Sequence, residues 1–537
     1  MQHVPGNIEW TRTRADALEC LHRPDANKRV PVRQIITAVT LIITALFQSG
    51  ALCADAESIS RIQSTKSVVE QMFREHAAAN HLPGLSYGVI AGGRLVMSGS
   101  FGYINVDEKI PVDTKSVFRI ASMSKSFTAL AILQLRDAGK LQLDEPAETY
   151  LPELKKITYL TSDAPRITVR HLLTHSAGFP EDNPWGDRQL ADTDRELMQL
   201  IENDVSFSNV PGIAYEYSNL GFALLGQIVQ KVSGVPFTQY MSENVFKPLG
   251  MNNTVWDFAE APREHLALGY GWRNDEWIDE PLLHHGSFGA MGGLITSIED
   301  FSRYAALHLA AWPPRSDTDD GILKRSSLRE MHHPWNYAGL MTDFAYADGR
   351  KCPTASAYAY GLGWRSDCEG RVFVRHSGGL PGFGSNWTMM PDYDIAVVSF
   401  DNRTYESTDA VNVNVLDAII STAGLEPRKI PVSGILGQRQ NELMEMLPDF
   451  ENAESSGLFA ENFFLDTPLE IRQRNTQALF ADAGVIRNVG LITAENQMRG
   501  TFVVEGERQN LSVFFTLTPE KNPLIQELQI TVLTPGK

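Results

Sequence analysis

Residues 122–135, SMSKSFTALAILQL, are apolar nearly all round when coiled into a helix, and Gly139 closes the segment. A helix without a polar face has to be covered on every side. The chain must therefore build layers around it, and its other segments supply them. A helical pattern over 57–82 (Val68, Val69, Met72, Phe73, His76) comes first, followed by a strand pair, Leu85–Ile90 and Arg94–Gly102, turned at Ala91-Gly92-Gly93. Residues 145–310 read mostly as helix and loop, with a long apolar helix from Leu220 to Val232 stopped by Gly234. Short alternating segments return at Tyr360–Trp364, Val372–Arg375, Trp387–Met390 and Ile395–Phe400, and a helix over about 409–421 ends the region. Strands at both ends with helices between predict an α+β fold, in which the two sets of strands share one sheet and a helical lobe is inserted.

A length of 537 residues allows two to four domains. Residues 426–436 lie in a Gly- and Pro-containing stretch and read as a linker between a 57–425 domain and an accessory α+β unit, 437–537. That unit shows helical patterns at 437–448, 455–464 and 468–484, then four strand-like runs, Ile486–Thr493, Met498–Val504, Leu511–Leu517 and Leu524–Leu533. Its helices-then-sheet order resembles the cone-shaped folds of ketosteroid isomerase and nuclear transport factor 2. At the other end, Lys28, Arg29 and Arg33 precede an apolar run, Ile35–Phe47, and small residues follow at Ala51 and Ala54. This is the pattern of a signal peptide over residues 1–56, which implies a periplasmic or secreted protein. An anchor through residues 35–54 is the alternative, although the run is short of the roughly 20 apolar residues of a span. Cys20 and Cys53 fall in this segment. Cys352 and Cys368 remain, either bridged in an oxidising compartment or as two thiols. A net charge of −18 disfavours a nucleic-acid partner, and a mean hydropathy of −0.19 excludes a multi-span membrane protein.

Four signatures bear on chemistry. Gly84-Leu85-Ser86-Tyr87-Gly88 has the form of a nucleophile elbow, but it runs into a strand and hairpin rather than a strand-to-helix turn. Ser122-Met123-Ser124-Lys125 opens the buried helix, placing Ser122 and Lys125 one turn apart on the same face. Burial lowers a lysine's pKa, and a neutral amine beside a serine hydroxyl activates it without histidine. A capping serine with a snorkelling lysine is the structural alternative. Tyr217-Ser218-Asn219 sits on a loop leading into the 220–232 helix, and His376-Ser377-Gly378-Gly379 stands at the end of the strand Val372–Arg375. His171 and His175, four apart, read as structure rather than a metal pair, as does His284-His285, and no metal site is expected. Trp185 and Trp364 read as core side chains rather than cleft residues.

Taken in order, Ser-x-x-Lys, Tyr-x-Asn and His-x-Gly resemble the serine β-lactamase and penicillin-binding-protein superfamily, in its class C-like branch. HLLTHSAGFP (171–180), PGIAYEYSNLGFALLGQIV (211–229), VFKPLGM (245–251) and GAMGGLITSIEDFSRY (289–304) add to the likeness, which covers about residues 60–425. The resemblance implies a large antiparallel sheet flanked by helices with an all-helical lobe, and hydrolysis through an acyl-enzyme on Ser122. Lys125 and Tyr217 would share the proton transfers. The N–H groups of Ser122 and Gly379 would form the oxyanion hole. Asn219, His376, Ser377, Gly378 and Gly379 would contact substrate, Tyr217 would activate the deacylating water, and no cofactor or metal is needed. The expected substrate is a small ester, amide or peptide, including one of D-amino acids. Where the branch often has lysine this chain has His376, mostly neutral at pH 7, which weakens recognition of a substrate carboxylate. A slow penicillin-binding sensor or a weak β-lactamase is the alternative.

Overall fold

The computed structural model describes residues 56–533. All but the last residue of the expected leader or anchor, with Cys20 and Cys53, lies outside them. Residues Arg61–Lys537 form one compact unit.

The strand pair read from the sequence forms as β1 (Gly84–Ala91) and β2 (Arg94–Asn105). The two-residue turn has φ of 55° at Gly92 and 72° at Gly93, the left-handed pair that a type I′ hairpin requires and glycine supplies without strain. β3 (Ile110–Pro111) follows, then the Lys125-bearing helix α2 (Ser124–Asp137) and α3 (Asn219–Ser233); helix α1 (Lys66–Ala79) precedes β1. Later come α4 (Ile298–Leu309), β4 (Asn336–Met341), β5 (Thr354–Tyr358), β6 (Gly363–Ser366), β7 (Val372–Leu380), β8 (Phe383–Met390), β9 (Ile395–Asp401) and α5 (Asp409–Ala423). They make one nine-stranded antiparallel sheet in the order β3-β2-β1-β9-β8-β7-β6-β5-β4. β1 pairs directly with the last strand, Leu85 opposite Asp401 and Ala91 opposite Ile395. The N- and C-terminal strands thus share one sheet, and the helical lobe is inserted between them.

The central strands are buried on both faces, and their side chains alternate between two cores. Ile395 and Val397 join Val69, Phe73, Leu416 and Ile419 on one side. Ala396, Val398 and Phe400 join Phe301 and Ala305 on the other, continuous with the helical lobe. Helix α2 lies in that second core, with eleven of its fourteen residues buried.

Several elements differ from the sequence reading. β4 and β5 were not anticipated: β4 is an edge strand with mostly exposed residues, so it carries no apolar alternation. Residues 360–362 are not strand. Gly361 (φ 63°) turns there so tightly that a Cβ would lie 2.5 Å from the Lys125 carbonyl oxygen. His376–Gly379 does not follow a strand but lies within β7. Pairing of Gly378 with Ser385 and Gly379 with Gly384 outweighs the poor strand propensity of the glycines. Cys352 and Cys368 are bridged, with Cα atoms 5.3 Å apart.

Beyond α5, helices α6 (Gly434–Met446) and α7 (Leu469–Ala483) precede a second sheet of β10 (Ile486–Val489), β11 (Thr493–Asn496), β12 (Arg499–Gly506), β13 (Asn510–Leu517) and β14 (Ile525–Val532). Its order is β10-β12-β13-β14, with β11 also on β12. β13 alternates half-buried and buried residues throughout, the period-2 pattern of a sheet covered on one face. Leu436, Leu443, Phe463, Phe480, Val504, Val513 and Phe515 form its own core. The segment read as linker joins this unit before its end: Ile430 bridges Ala494, and Ser433 caps α6 through the Leu436 N–H.

Candidate active site

Ser122 is the middle residue of a 3₁₀ turn, Ala121–Met123, that leads into α2. Ala121, just before it, has a left-handed φ of 47°, a strained conformation for a residue with a Cβ. The turn is held from both sides: the Ile120 N–H donates to Leu294 O at 2.9 Å, and Ser385 Oγ donates to Ile120 O at 2.8 Å. β7 crosses directly over it. A Cβ at position 378 would fall 2.2 Å from Ile120 O and 3.0 Å from Ala121 Cβ, so only glycine fits there. This contact brings the third motif onto the first.

Lys125 is fully buried. Its Nζ lies 3.0 Å from Ser122 Oγ, 2.7 Å from Asn219 Oδ1 and 3.0 Å from Met291 O. Asn219 Oδ1 and Met291 O can only accept. A neutral amine gives them its two hydrogens, and its lone pair is left facing the Ser122 hydroxyl. Burial lowers the Lys125 pKa to about 7, against the opposing pull of Asp187 and Asp182. The capping-and-snorkelling alternative fails on this geometry, since the ammonium head never reaches solvent.

Asn219 begins α3, where the chain changes from extended loop to helix at Ser218. The Asp182 carboxylate accepts the orphan N–H groups of Asn219 (2.5 Å) and Leu220 (2.8 Å), and Asn183 Oδ1 accepts from Asn219 Nδ2 at 2.8 Å. Burial raises the Asp182 pKa, partly offset by those two backbone donors. Tyr217 hydrogen-bonds Ser122 through its hydroxyl; burial drives its pKa well above 10, the Ser122 bond opposing, so the phenol stays protonated. Its ring lies 4.8 Å from Lys125 Nζ.

His376 points into the same cluster. Nδ1 lies 2.6 Å from Ser377 O, which can only accept, so Nδ1 carries the proton and Nε2 accepts from the Tyr358 hydroxyl at 2.8 Å. Burial, with Lys125 nearby, lowers its pKa to about 3. His376 is therefore neutral throughout the working range, a stronger statement than the sequence allowed. Ser377 Oγ accepts from Asn386 Nδ2 at 3.0 Å.

Ser122, Tyr217 and His376–Gly379 line one cleft of about 510 Å³, with Lys125 and Asn219 buried behind it. The remaining walls include Asn183, Asp187, Tyr215, Tyr358, Trp364, Arg375 and Tyr405. Trp364 is half-buried and faces the cleft, while Trp185 is 47% exposed, so neither is the core side chain expected. The helix bearing His171 ends at Leu173, so His175 is not on it. His171 caps that helix through the Thr168 N–H, and His175 Nδ1 accepts from the Ser218 N–H at 3.1 Å. Ser86 is buried in β1 beside Ser100. Sequence reading missed Asp182, Asn183, Asp187, Met291 and Tyr405. None carries a signature, because each acts through a partner far along the chain.

Comparison with known proteins bears on the family and the fold. The model of the family described as beta-lactamase matches residues 69–421. The chain belongs to the β-lactamase family. This β-lactamase-family chain is 27% identical over 380 residues to Protein flp of Staphylococcus aureus (strain MW2), covering 70% of each. It is 28% identical over 333 residues to Penicillin-binding protein 4* of Bacillus subtilis (strain 168), covering 58% of this chain and 66% of that protein. Among solved structures, an octameric penicillin-binding protein homologue from Pyrococcus abyssi superposes with a TM-score of 0.55 at 22% identity, covering 88% of this chain and 94% of the other. That coverage extends beyond residues 69–421. A class C beta lactamase from Rhodobacter sphaeroides superposes at 0.51 with 20% identity, over 66% of this chain and 98% of its own. The fold is that of the β-lactamases and penicillin-binding proteins.

Proposed function

We propose that this chain is an exported serine hydrolase that cleaves a small ester, amide or peptide through an acyl-enzyme on Ser122. The observation that carries the reading is the hydrogen-bond arithmetic at Lys125: two obligate acceptors hold two hydrogens and turn the lone pair to Ser122 Oγ. Lys125 takes the serine proton as Oγ attacks the carbonyl. The N–H groups of Ser122 and Gly379 receive the oxyanion. The Tyr217 phenol, bonded to Ser122, passes a proton to the leaving group and is restored from Lys125. Water then attacks the ester; the Tyr217 phenol takes its proton while passing its own to neutral Lys125, and Lys125 gives that proton to the departing Oγ, which regenerates Ser122. Asn219, expected from the sequence to contact substrate, lies buried behind the cleft and orients Lys125 instead, while His376, Ser377 and Gly378 border the bound group.

The neutral His376 favours substrates without a carboxylate beside the scissile bond over an efficient β-lactamase. The Cys352–Cys368 bridge supports export, which an N-terminal signal peptide (or an anchor) would direct. Residues 437–537 are proposed as an accessory domain on the strength of their separate core.

The test is intact-mass spectrometry of the protein mixed with p-nitrophenyl acetate and, separately, with benzylpenicillin, beside Ser122→Ala. Nitrophenol release with a transient adduct on Ser122 is expected. A lasting penicillin adduct without turnover would favour the penicillin-binding reading, which the name of the Bacillus subtilis relative suggests. Activity surviving in Ser122→Ala would refute the mechanism.

A further inference from the structure

The loop between β9 and α5 carries one exposed tyrosine across the active-site cleft. Tyr405 has a left-handed φ of 54°, and its backbone N–H donates to Leu380 O at the end of β7. The neighbouring residues are pinned as well. Thr404 Oγ1 accepts from the Gly382 N–H at 2.9 Å, and Arg403 pairs with Glu406 at 2.7 Å. The ring therefore lies over Gly379, where a Cβ would sit 3.1 Å from Tyr405 Cδ1. Its hydroxyl reaches the inserted helical lobe and hydrogen-bonds Asp187. Asp187 itself is 2% exposed, and its Oδ1 has no protein partner. A residue anchored on the sheet is thus tied to a buried carboxylate on the inserted lobe, and both border the cleft together with Ser122 and Gly379. Tyr405 nevertheless remains 43% exposed, so only that one bond holds the free end of its side chain.

Resting on the proposed hydrolase reading, we infer that Tyr405 is a specificity-determining residue whose ring limits the size of the substrate group lying alongside Gly379. Asp187 is its positioning residue, holding the hydroxyl so that the ring stays across the cleft. The site admits short, unbranched groups there and turns away long ones.

Two series of esters test this on the full chain: p-nitrophenyl acetate, butyrate and octanoate for the acyl side, and methyl to octyl acetates for the leaving side. The readout is the ratio of kcat/KM for the longest to the shortest member. Tyr405→Ala raises that ratio about tenfold or more in at least one series, the discrimination a few methylenes carry in a closed pocket. Tyr405→Trp lowers it, which keeps the test alive if the alanine variant folds poorly. Asp187→Ala and Tyr405→Phe raise the ratio in the same series, while Asp187→Asn, whose amide oxygen still accepts the hydroxyl, restores the unmodified value. A ratio within about twofold of the unmodified protein in Tyr405→Ala and Tyr405→Trp, for both series, overturns the inference. An Asp187→Asn variant that behaves like Asp187→Ala overturns the positioning role. Failure of the unmodified chain to form a Ser122 adduct with any ester is a different result, visible by intact mass, and takes the hydrolase reading down first and this inference with it.

Discussion

Replacing Asn219 by aspartate keeps the oxygen in contact with Lys125, exchanges the Nδ2 bonded to Asn183 for a second oxygen, and places a negative charge beside the amine, which tests whether that amine is the base. Asn219 Oδ1 lies 2.7 Å from Nζ, in a region from which water is excluded. A carboxylate at that distance favours the ammonium and raises a pKa by roughly 1–3. The Lys125 pKa stands at about 7, so about half of it is neutral at pH 7. Raising it by about 2 leaves about 1% neutral, a loss of about fiftyfold in kcat/KM at pH 7. At pH 10 most of the amine is neutral in both proteins, and the loss shrinks to less than about twofold. The acid limb of the profile thus moves to higher pH while the plateau survives. Tyr217 adds no limb below that plateau, because its own pKa lies well above 10. The assay is the pH dependence of nitrophenol release from p-nitrophenyl acetate, with Ser122→Ala subtracted to remove alkaline background. Thermal unfolding of Asn219→Asp alongside separates a fold defect from a titration effect. An acid limb that stays in place or moves to lower pH would refute Lys125 as the base.

Gly378→Ala places a methyl group 2.2 Å from a backbone carbonyl that cannot move away. Ser122 acylation should fall by at least about a hundredfold, as a displaced oxyanion donor costs, while the far-UV circular dichroism is kept; near-normal acylation would show that β7 does not position the site. His376→Gln should leave the acid limb where it is, because His376 is already neutral, its pKa lowered to about 3. A limb that moves in that variant would assign the titration to His376 instead. Changing both Cys352 and Cys368 to serine opens a 16-residue separation and should cost roughly 3 kcal/mol, seen as a lower Tm with kcat/KM on p-nitrophenyl acetate little changed. An unaltered Tm would show that the bridge carries no stability.

Much of this protein can be read along the chain because its signals are local. The hairpin at Gly92-Gly93 needs two left-handed residues and has two glycines. The helix behind Ser122 has no polar face, which makes a lysine at its start conspicuous, but a buried amine and a snorkelling one both stay open until the fold buries Lys125. The glycine stop of α3 at Gly234 and the alternation of Ile395–Asp401 between two cores are local in the same way. What tertiary structure decided was how far apart in sequence the partners of these groups lie. Asp182 caps Asn219 from 37 residues away, Met291 O faces Lys125 from 166, and Ser385 holds Ile120 from 265. None of these partners has a motif, since an acceptor at the right place can be any carbonyl or carboxylate. β4 escaped notice for the related reason that an exposed edge strand has no apolar pattern to show. That His376 stays neutral well below pH 7, beyond the mostly neutral ring the sequence implied, was likewise decided by the fold: its protonation depends on burial, on Lys125 and on Tyr358, which only the folded sheet brings together.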